Sequence, residues 1–147
     1  MSEIYRHRPA CEIWTDRRSS RPPHRQRVLV VDDYVDGADA VCAYLCAVDI
    51  DARVAYGGCD ALRIAAAWRP HSIVLDIAMP DLSGLSVATT LRAMSGLGQT
   101  VLIAYTAQAE RDYERIRASG FDGICCKPAD PPHPVRLLEQ LSLQTRH

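Results

Sequence analysis

Short apolar runs alternate with segments of helical periodicity from residue 27 onward. The first run, RVLVVDD (27–33), is rich in valine and almost wholly apolar before its carboxylates, which is typical of a strand buried on both faces of a sheet. Four similar runs follow: DARVAYGG (51–58), HSIVLDI (71–77), TVLIAYT (100–106) and DGICCK (122–127). Apolar residues at helical spacing predict helices over 34–48, 59–69, 81–94, 108–119 and 131–144.

This alternation of five strands with five helices predicts a doubly wound α/β domain. Its centre would be a five-stranded parallel sheet with helices on both faces, because parallel strands need crossover connections. The length of 147 residues and the hydrophobic content of 48% suit one domain with a substantial core. We therefore expect one domain over residues 27–147, without internal repeats.

Residues 1–26 show little apolar periodicity and lead into the Arg-, Ser- and Pro-rich stretch DRRSSRPPHRQR (16–27). This composition predicts a flexible basic N-terminal arm over 1–26, in which EIWT (12–15) is the one apolar patch that could dock. Arginine clusters can bind nucleic-acid phosphates. The sequence shows no helix-turn-helix or stacking platform, and the net charge is −1. We therefore expect a solvated arm and no nucleic-acid partner.

The spacing of the cysteines and the hydropathy of the chain indicate where in the cell the protein is expected. The six cysteines form no CxxC pair or zinc-finger spacing, so we expect reduced, mostly buried thiols in a cytoplasmic protein. No apolar stretch approaches the length of a membrane span, and the N-terminus lacks a signal-peptide core. No membrane partner is expected.

Polar side chains follow the predicted strands at the points where they end. Asp32 and Asp33 follow the first, Asp76 the third, Thr106 ends the fourth, and Lys127 ends the fifth. Ligands of such sheets bind outside the carboxyl ends of the strands. Three neighbouring carboxylates repel and raise one another's pKa, which a cation with hard oxygen ligands such as Mg²⁺ relieves. The sequence therefore predicts a magnesium site.

The same residues suit phosphoryl transfer, which needs a nucleophile, a metal and fixed donors. Asp76 can act as the nucleophile and form an aspartyl phosphate, while Thr106 donates its hydroxyl to a phosphoryl oxygen. Lys127, the only lysine beside sixteen arginines, supplies a point charge. Each residue alone also fits a turn, a helix cap or strand propensity. The prediction rests on their joint position at strand ends.

At these residues the sequence resembles the response-regulator receiver family of two-component signalling. The runs VLVVDD, IVLDIAMPDLSG, VLIAYTA and CKP carry the resemblance, which extends over residues 27–144. It implies a flavodoxin-like three-layer sandwich with strand order 2-1-3-4-5. It implies Asp76 as the phosphoacceptor, and Mg²⁺ held by Asp32, Asp33, Asp76 and the backbone carbonyl of Ala78.

The resemblance also implies catalytic roles for Thr106 and Lys127 beside Asp76. Thr106 would move toward the phosphoryl group as part of the switch, and Lys127 would pair with the acceptor and then the phosphate. A cis peptide bond between Lys127 and Pro128 is implied as well. One position departs from the family pattern, because Ile124 stands where an aromatic switch residue is usual. Chemistry should survive this change, whereas the coupling to a binding surface is expected to be weak.

We therefore expect a stand-alone receiver that signals by protein contact. Its partners would be a histidine kinase or phosphotransfer protein and a downstream protein target. It would not be an enzyme beyond its own phosphorylation and dephosphorylation. The alternative is a receiver-fold interaction module that acts constitutively, which Ile124 favours and the complete acidic, hydroxyl and lysine set opposes. A phosphatase or small-molecule enzyme would need a further catalytic base at a strand end, and none is found there.

Overall fold

The computed structural model describes residues 11–18, 25–107 and 109–127, together with residues 136, 138 and 140. These residues form one sheet with helices packed on it. The strands are β1 (Cys11–Ile13), β2 (Arg27–Val31), β3 (Asp51–Ala55), β4 (Ser72–Leu75), β5 (Val101–Thr106) and β6 (Gly123–Cys126). The helices are α1 (Val35–Ala47), α2 (Gly58–Trp68), α3 (Gly84–Ala93) and α4 (Ala109–Ala118).

The predicted last helix falls mostly outside the described residues. Arg136, Leu138 and Gln140 are helical, and they lie within the predicted range of 131–144. Among the described helices, none is long and apolar enough to cross a membrane.

The sheet has the order β1-β6-β5-β4-β2-β3. From β3 to β6 all neighbouring strands are parallel, which confirms the predicted order 2-1-3-4-5 and the doubly wound α/β fold. The prediction of five strands needs one correction, because β1 adds a sixth strand antiparallel to β6. This pairing joins residues more than a hundred positions apart, which local periodicity cannot reveal.

Both faces of the sheet are buried, which explains the nearly continuous apolar strands. On β2, Val28 and Val30 pack toward α1 and Leu138, whereas Leu29 and Val31 pack toward α2, α3 and α4. Burying each such side chain contributes about 1.5 to 3 kcal/mol relative to leaving it exposed. The two cores hold the strands in register and thereby fix the edge where their carboxyl ends meet.

The described part of the N-terminal region differs from the expected flexible arm. Residues 11–18 lie against the sheet edge instead of projecting into solvent, and Trp14, in the one apolar patch of the arm, is partly buried against the core. This three-residue strand was not predicted, because the surrounding sequence is rich in Arg and Pro, a composition typical of a flexible segment. Residues 1–10 and 19–24 lie outside the described residues, so the arm expected there stays a prediction.

The cysteines also differ from the expectation of reduced, mostly buried thiols. Cys11 and Cys125 form a disulfide between β1 and β6. Of the six cysteines, Cys125 is buried, whereas Cys46 and Cys59 are exposed. The disulfide could not be predicted because its partners become neighbours only through the antiparallel pairing of β1 with β6.

Candidate functional site

The predicted site residues lie at the ends of four strands, at one edge of the sheet. Asp32 directly follows β2, Asp76 directly follows β4, Thr106 is the last residue of β5, and Lys127 directly follows β6. The parallel registers place these strand ends side by side. The structure thus brings together residues that are up to 95 positions apart in sequence.

Three carboxylates form the acidic part of this site. One oxygen from each of Asp32, Asp33 and Asp76 lies within 4.8 Å of the others. Asp32 and Asp76 are buried and Asp33 is exposed, so the cluster opens to solvent on one side. A set of hard oxygen ligands with room for water suits Mg²⁺, which retains several waters when it binds to proteins. The residues present therefore fit a magnesium ion.

Lys127 lies between two of these carboxylates. Its Nζ is 2.6 Å from Oδ2 of Asp32 and 3.9 Å from Oδ1 of Asp76. The resemblance implied pairing with Asp76, but the shorter contact is with Asp32. The ammonium also lies 5.2 Å from the ring centroid of Tyr105, within cation–π distance. Tyr105 was not predicted as a site residue, because its position within an apolar strand is typical of a core residue.

The pKa of Asp76 is raised from 3.8 to about 6, chiefly because burial disfavours its charged form. Lys127 opposes this rise and the neighbouring charge of Asp32 adds to it. The backbone N–H of Ile77 donates to Oδ1 of Asp76 at 2.9 Å and fixes one carboxylate oxygen. Repulsion among the carboxylates, which is the cause expected from the sequence, therefore raises the pKa of Asp76 less than removal from water does. Near pH 7 the nucleophilic carboxylate remains the major form.

The loop after β4 packs closely against the backbone of Asp76. A Cβ on Gly84 would lie 2.1 Å from the carbonyl oxygen of Asp76, so a larger residue does not fit there. The N–H of Gly84 donates to the carbonyl of Ile77 at 2.8 Å and closes the loop. These contacts give a physical reason for glycine at the end of the run that begins with Asp76.

Asp81, another carboxylate in the loop after β4, connects this loop to α2. Asp81 accepts hydrogen bonds from the backbone N–H groups of Cys59 at 3.0 Å and Gly58 at 3.1 Å, at the start of α2. These bonds lower the pKa of Asp81 to about 2, because they stabilise its charged form. Asp81 thus caps α2 and ties the loop to it. This contact between Asp81 and the start of α2 was not predicted from the sequence.

Three other predicted residues occupy distinct surroundings. Thr106 is 1% exposed at the end of β5, and its carbonyl accepts from the backbone N–H of Lys127 at 2.8 Å. Ala78 is exposed in the loop after Asp76, and metal binding by its carbonyl stays a prediction. Ile124 is 1% exposed and packs in the core on the side of α2, α3 and α4. Pro128 lies outside the described residues, so the cis peptide bond stays a prediction.

Comparison with known proteins identifies related chains. The sequence profile described as "Response regulator receiver domain" matches residues 28–139. The chain is 35% identical over 111 residues to the DNA-binding response regulator MtrA of Mycolicibacterium paratuberculosis, covering 76% of this chain and 48% of the relative. It is 48% identical over 102 residues to the transcriptional regulatory protein PrrA of Mycobacterium leprae, covering 69% and 43%.

The chain thus spans about half the length of the curated relatives it matches. MtrA is named as DNA-binding, so the comparison gives no support to the expectation that nucleic acid is not a partner.

Solved structures are similar in fold. The chemotaxis response regulator CheY4 of Vibrio cholerae superposes with a TM-score of 0.75 at 25% identity, covering 80% of this chain and 98% of that one. The receiver domain of sensor histidine kinase PA1611 from Pseudomonas aeruginosa superposes with a TM-score of 0.74 at 26% identity, covering 80% and 97%. That structure contains a magnesium ion coordinated in the active-site cleft.

Proposed function

This chain belongs to the response regulator receiver domain family of two-component signalling, and we propose that it accepts a phosphoryl group on Asp76. The donor would be the phosphohistidine of a histidine kinase or phosphotransfer protein, and the phosphorylated form would signal by contact with a downstream protein. The observation that carries the proposal is the position of Asp76, buried beside Lys127 and two further carboxylates.

The proposed reaction transfers one phosphoryl group between two side chains. A carboxylate oxygen of Asp76 attacks the phosphorus, a P–O bond forms, and the P–N bond of the donor breaks. The electron pair of that bond remains on the donor imidazole, which then takes a proton from solvent. Oδ1 of Asp76 accepts from the N–H of Ile77, so Oδ2 is the oxygen we assign to the attack. Such fixed orientation is a major part of phosphoryl-transfer catalysis.

Other residues of the site stabilise the charge that develops on the phosphoryl oxygens. Mg²⁺, held by Asp32, Asp33 and Asp76, would supply electrophilic charge at these oxygens. Lys127 is within 3.9 Å of Asp76 and needs a small movement to reach a phosphoryl oxygen. The hydroxyl of Thr106, also at this edge, would donate a hydrogen bond.

The proposal is tested by incubating the full chain with acetyl phosphate and Mg²⁺ and measuring the covalent phosphate by intact-protein mass spectrometry. We expect one acid-stable, hydroxylamine-labile phosphate on the wild type and none on Asp76→Asn, because an amide is a far poorer nucleophile. Asp60→Asn, the same change in a partly exposed carboxylate of α2 that pairs with Arg63 and is not part of the acidic cluster, is the matched control and should be labelled normally. Excess chelator should suppress labelling.

Labelling of Asp76→Asn at the wild-type rate, or labelling that is indifferent to chelator, would refute the assignment. A different result would favour the constitutive interaction module. In that case the folded wild type would be labelled neither by acetyl phosphate nor by a phosphorylated histidine kinase.

A further inference from the structure

The N-terminal segment 11–18, here called the clasp, covers the edge of the sheet beside β6. Its strand pairs Cys11 with Cys125, Glu12 with Ile124 and Ile13 with Gly123. The pairing continues beyond the strand, since the N–H of Trp14 donates to the carbonyl of Asp122 at 2.7 Å. The clasp therefore occupies backbone groups of β6 that another strand could otherwise bind.

Aromatic contacts hold the clasp against α4. The ring of Trp14 meets the ring of Tyr113 edge-on, with centroids 5.3 Å apart and an interplanar angle of 78°. The carboxylate of Glu12 accepts from the hydroxyl of Tyr113 at 2.7 Å and from the indole N–H of Trp14 at 3.0 Å. The guanidinium of Arg117 lies 5.6 Å from the Trp14 ring. These contacts make α4 part of the docking surface.

A buried carboxylate holds the other end of the clasp. Asp122 is 0% exposed, and Oδ1 accepts from the hydroxyl of Thr15 at 2.6 Å and from Arg17. Oδ2 of Asp122 accepts from Arg92 of α3 and from the N–H of Leu102. The clasp thus supplies one of the two arginines that neutralise a buried charge.

One covalent bond joins the clasp to the sheet. The Cys11–Cys125 disulfide links β1 to β6, on the face of the sheet where α1 packs. Cys11 is partly exposed, whereas Cys125 is fully buried. Residues 42, 46, 59 and 126 keep their thiols, and two of these four cysteines are exposed. Where thiols are kept reduced, a disulfide that does form is usually transient and reversible.

From these observations we propose that Cys11 and Cys125 form a reversible redox site that controls the docking of the clasp. The oxidised form fastens the clasp to β6, and the reduced form leaves it held by noncovalent contacts alone. Its co-reactants are a dithiol reductant and a disulfide oxidant of the glutathione class. This proposal is independent of the phosphorylation of Asp76.

The reduction proceeds by two thiol–disulfide exchanges. A thiolate of the dithiol attacks Sγ of Cys11, the more accessible sulfur, and the S–S bond breaks. Cys125 leaves as a thiolate and takes a proton, while Cys11 is held in a mixed disulfide. The second thiolate of the dithiol then displaces Cys11, which takes a proton. Two cysteines are reduced and the dithiol is oxidised to a disulfide. Glutathione disulfide reverses the outcome and releases two molecules of glutathione.

The consequence of reduction is local opening at the sheet edge. A segment of this size, held by one short strand and a few side chains, opens far more often than the core when no covalent bond retains it. Opening uncovers the edge of β6 and the ring of Tyr113. Opening of the clasp also breaks the ion pair between Arg17 and Asp122, whereas the ion pair between Arg92 and Asp122 remains. β6 leads directly into Lys127, so the redox site lies on the strand that delivers a residue of the phosphorylation site.

The test uses the full chain prepared in two forms, one treated with glutathione disulfide and one with dithiothreitol, without denaturant. Alkylation after denaturation should give four labelled cysteines in the oxidised form and six in the reduced form, and peptide mapping should link Cys11 to Cys125. Hydrogen exchange of the amides of residues 12–17 should be at least about tenfold faster in the reduced form. Removal of dithiothreitol and addition of glutathione disulfide should restore both results.

Cys11→Ser should exchange rapidly in both treatments, whereas Cys59→Ser, which alters an exposed thiol outside the bridge, should behave as the wild type. Equal exchange of residues 12–17 in the two wild-type forms would overturn the proposal. So would a link between other cysteines, or a Cys11–Cys125 bridge that dithiothreitol reduces only after denaturation. The comparison of the two wild-type forms remains decisive if Cys11→Ser fails to fold.

Discussion

Replacing Asp76 with asparagine should stabilise the metal-free protein at neutral pH. Burial raises the pKa of Asp76 from 3.8 to about 6, so the folded state retains a proton that the unfolded state releases. The stabilising effect of this retained proton is complete below about pH 3.8. It is lost as the pH rises through about 6. Asparagine is neutral at every pH, and its Oδ1 can still accept from the N–H of Ile77.

The magnitude follows from the size of the pKa change. A change from 3.8 to about 6, at about 1.36 kcal/mol for each pKa unit, gives about 3 kcal/mol. The difference in unfolding free energy between Asp76→Asn and the wild type should therefore be near zero at low pH. It should rise between about pH 4 and 6 and level off at about 3 kcal/mol by pH 7.5.

The assay is urea unfolding of both proteins at a series of pH values, with the disulfide held in one redox state throughout. The slope with urea should be the same for both proteins, so that midpoints report stability. Asp33→Asn is the control for removing one negative charge from the same cluster. Because Asp33 is exposed, its replacement should change stability by about 0.5 kcal/mol or less.

Magnesium provides a second arm of the same experiment. A ligand at a hundredfold excess over its Kd stabilises the folded state by about 2.7 kcal/mol. Mg²⁺ should therefore stabilise the wild type and bring it close to Asp76→Asn, which lacks one carboxylate ligand. A stability difference that is the same at pH 4 and pH 7.5, or no difference at either pH, would refute the assignment of a buried, destabilised carboxylate.

Two further substitutions test the packing around the site and the clasp. Asp122→Asn should lower the unfolding free energy by about 3 to 5 kcal/mol, because Arg92 and Arg17 lose a buried partner; a loss below about 1 kcal/mol in urea unfolding would contradict this. Gly84→Ala should cost at least about 2 kcal/mol and slow labelling of Asp76, because its Cβ would lie 2.1 Å from the Asp76 carbonyl. Gly98→Ala, with its nearest atom at 3.7 Å, should change neither stability nor labelling, and equal effects of the two changes would contradict the close-packing argument.

The parallel sheet and the candidate site follow from patterns that are local in sequence. The valine-rich runs and the helical periodicity between them specify strands, helices and crossovers, because backbone geometry converts each period into one element. Asp32, Asp76, Thr106 and Lys127 come directly after or at the end of such runs. Once the strands are parallel, these positions must meet at one edge. The parallel sheet and the proximity of the site residues were therefore predictable from the sequence, whereas the order of the strands was implied only by the resemblance to the receiver family.

Only the tertiary structure determines which side chains surround each site residue and how far that residue is buried from solvent. The pKa of Asp76 depends first on burial, which no spacing in the sequence expresses. The closer approach of Lys127 to Asp32 than to Asp76 depends on the relative position of three strand ends.

The clasp depends on contacts between residues about a hundred positions apart. Cys11 meets Cys125, and Arg17 meets Asp122, only because β1 pairs with β6. A strand of three residues carries too little local signal to be distinguished from the arm around it. Its stability comes from the sheet edge, the ring of Tyr113 and a buried carboxylate, all of which the distant part of the chain supplies.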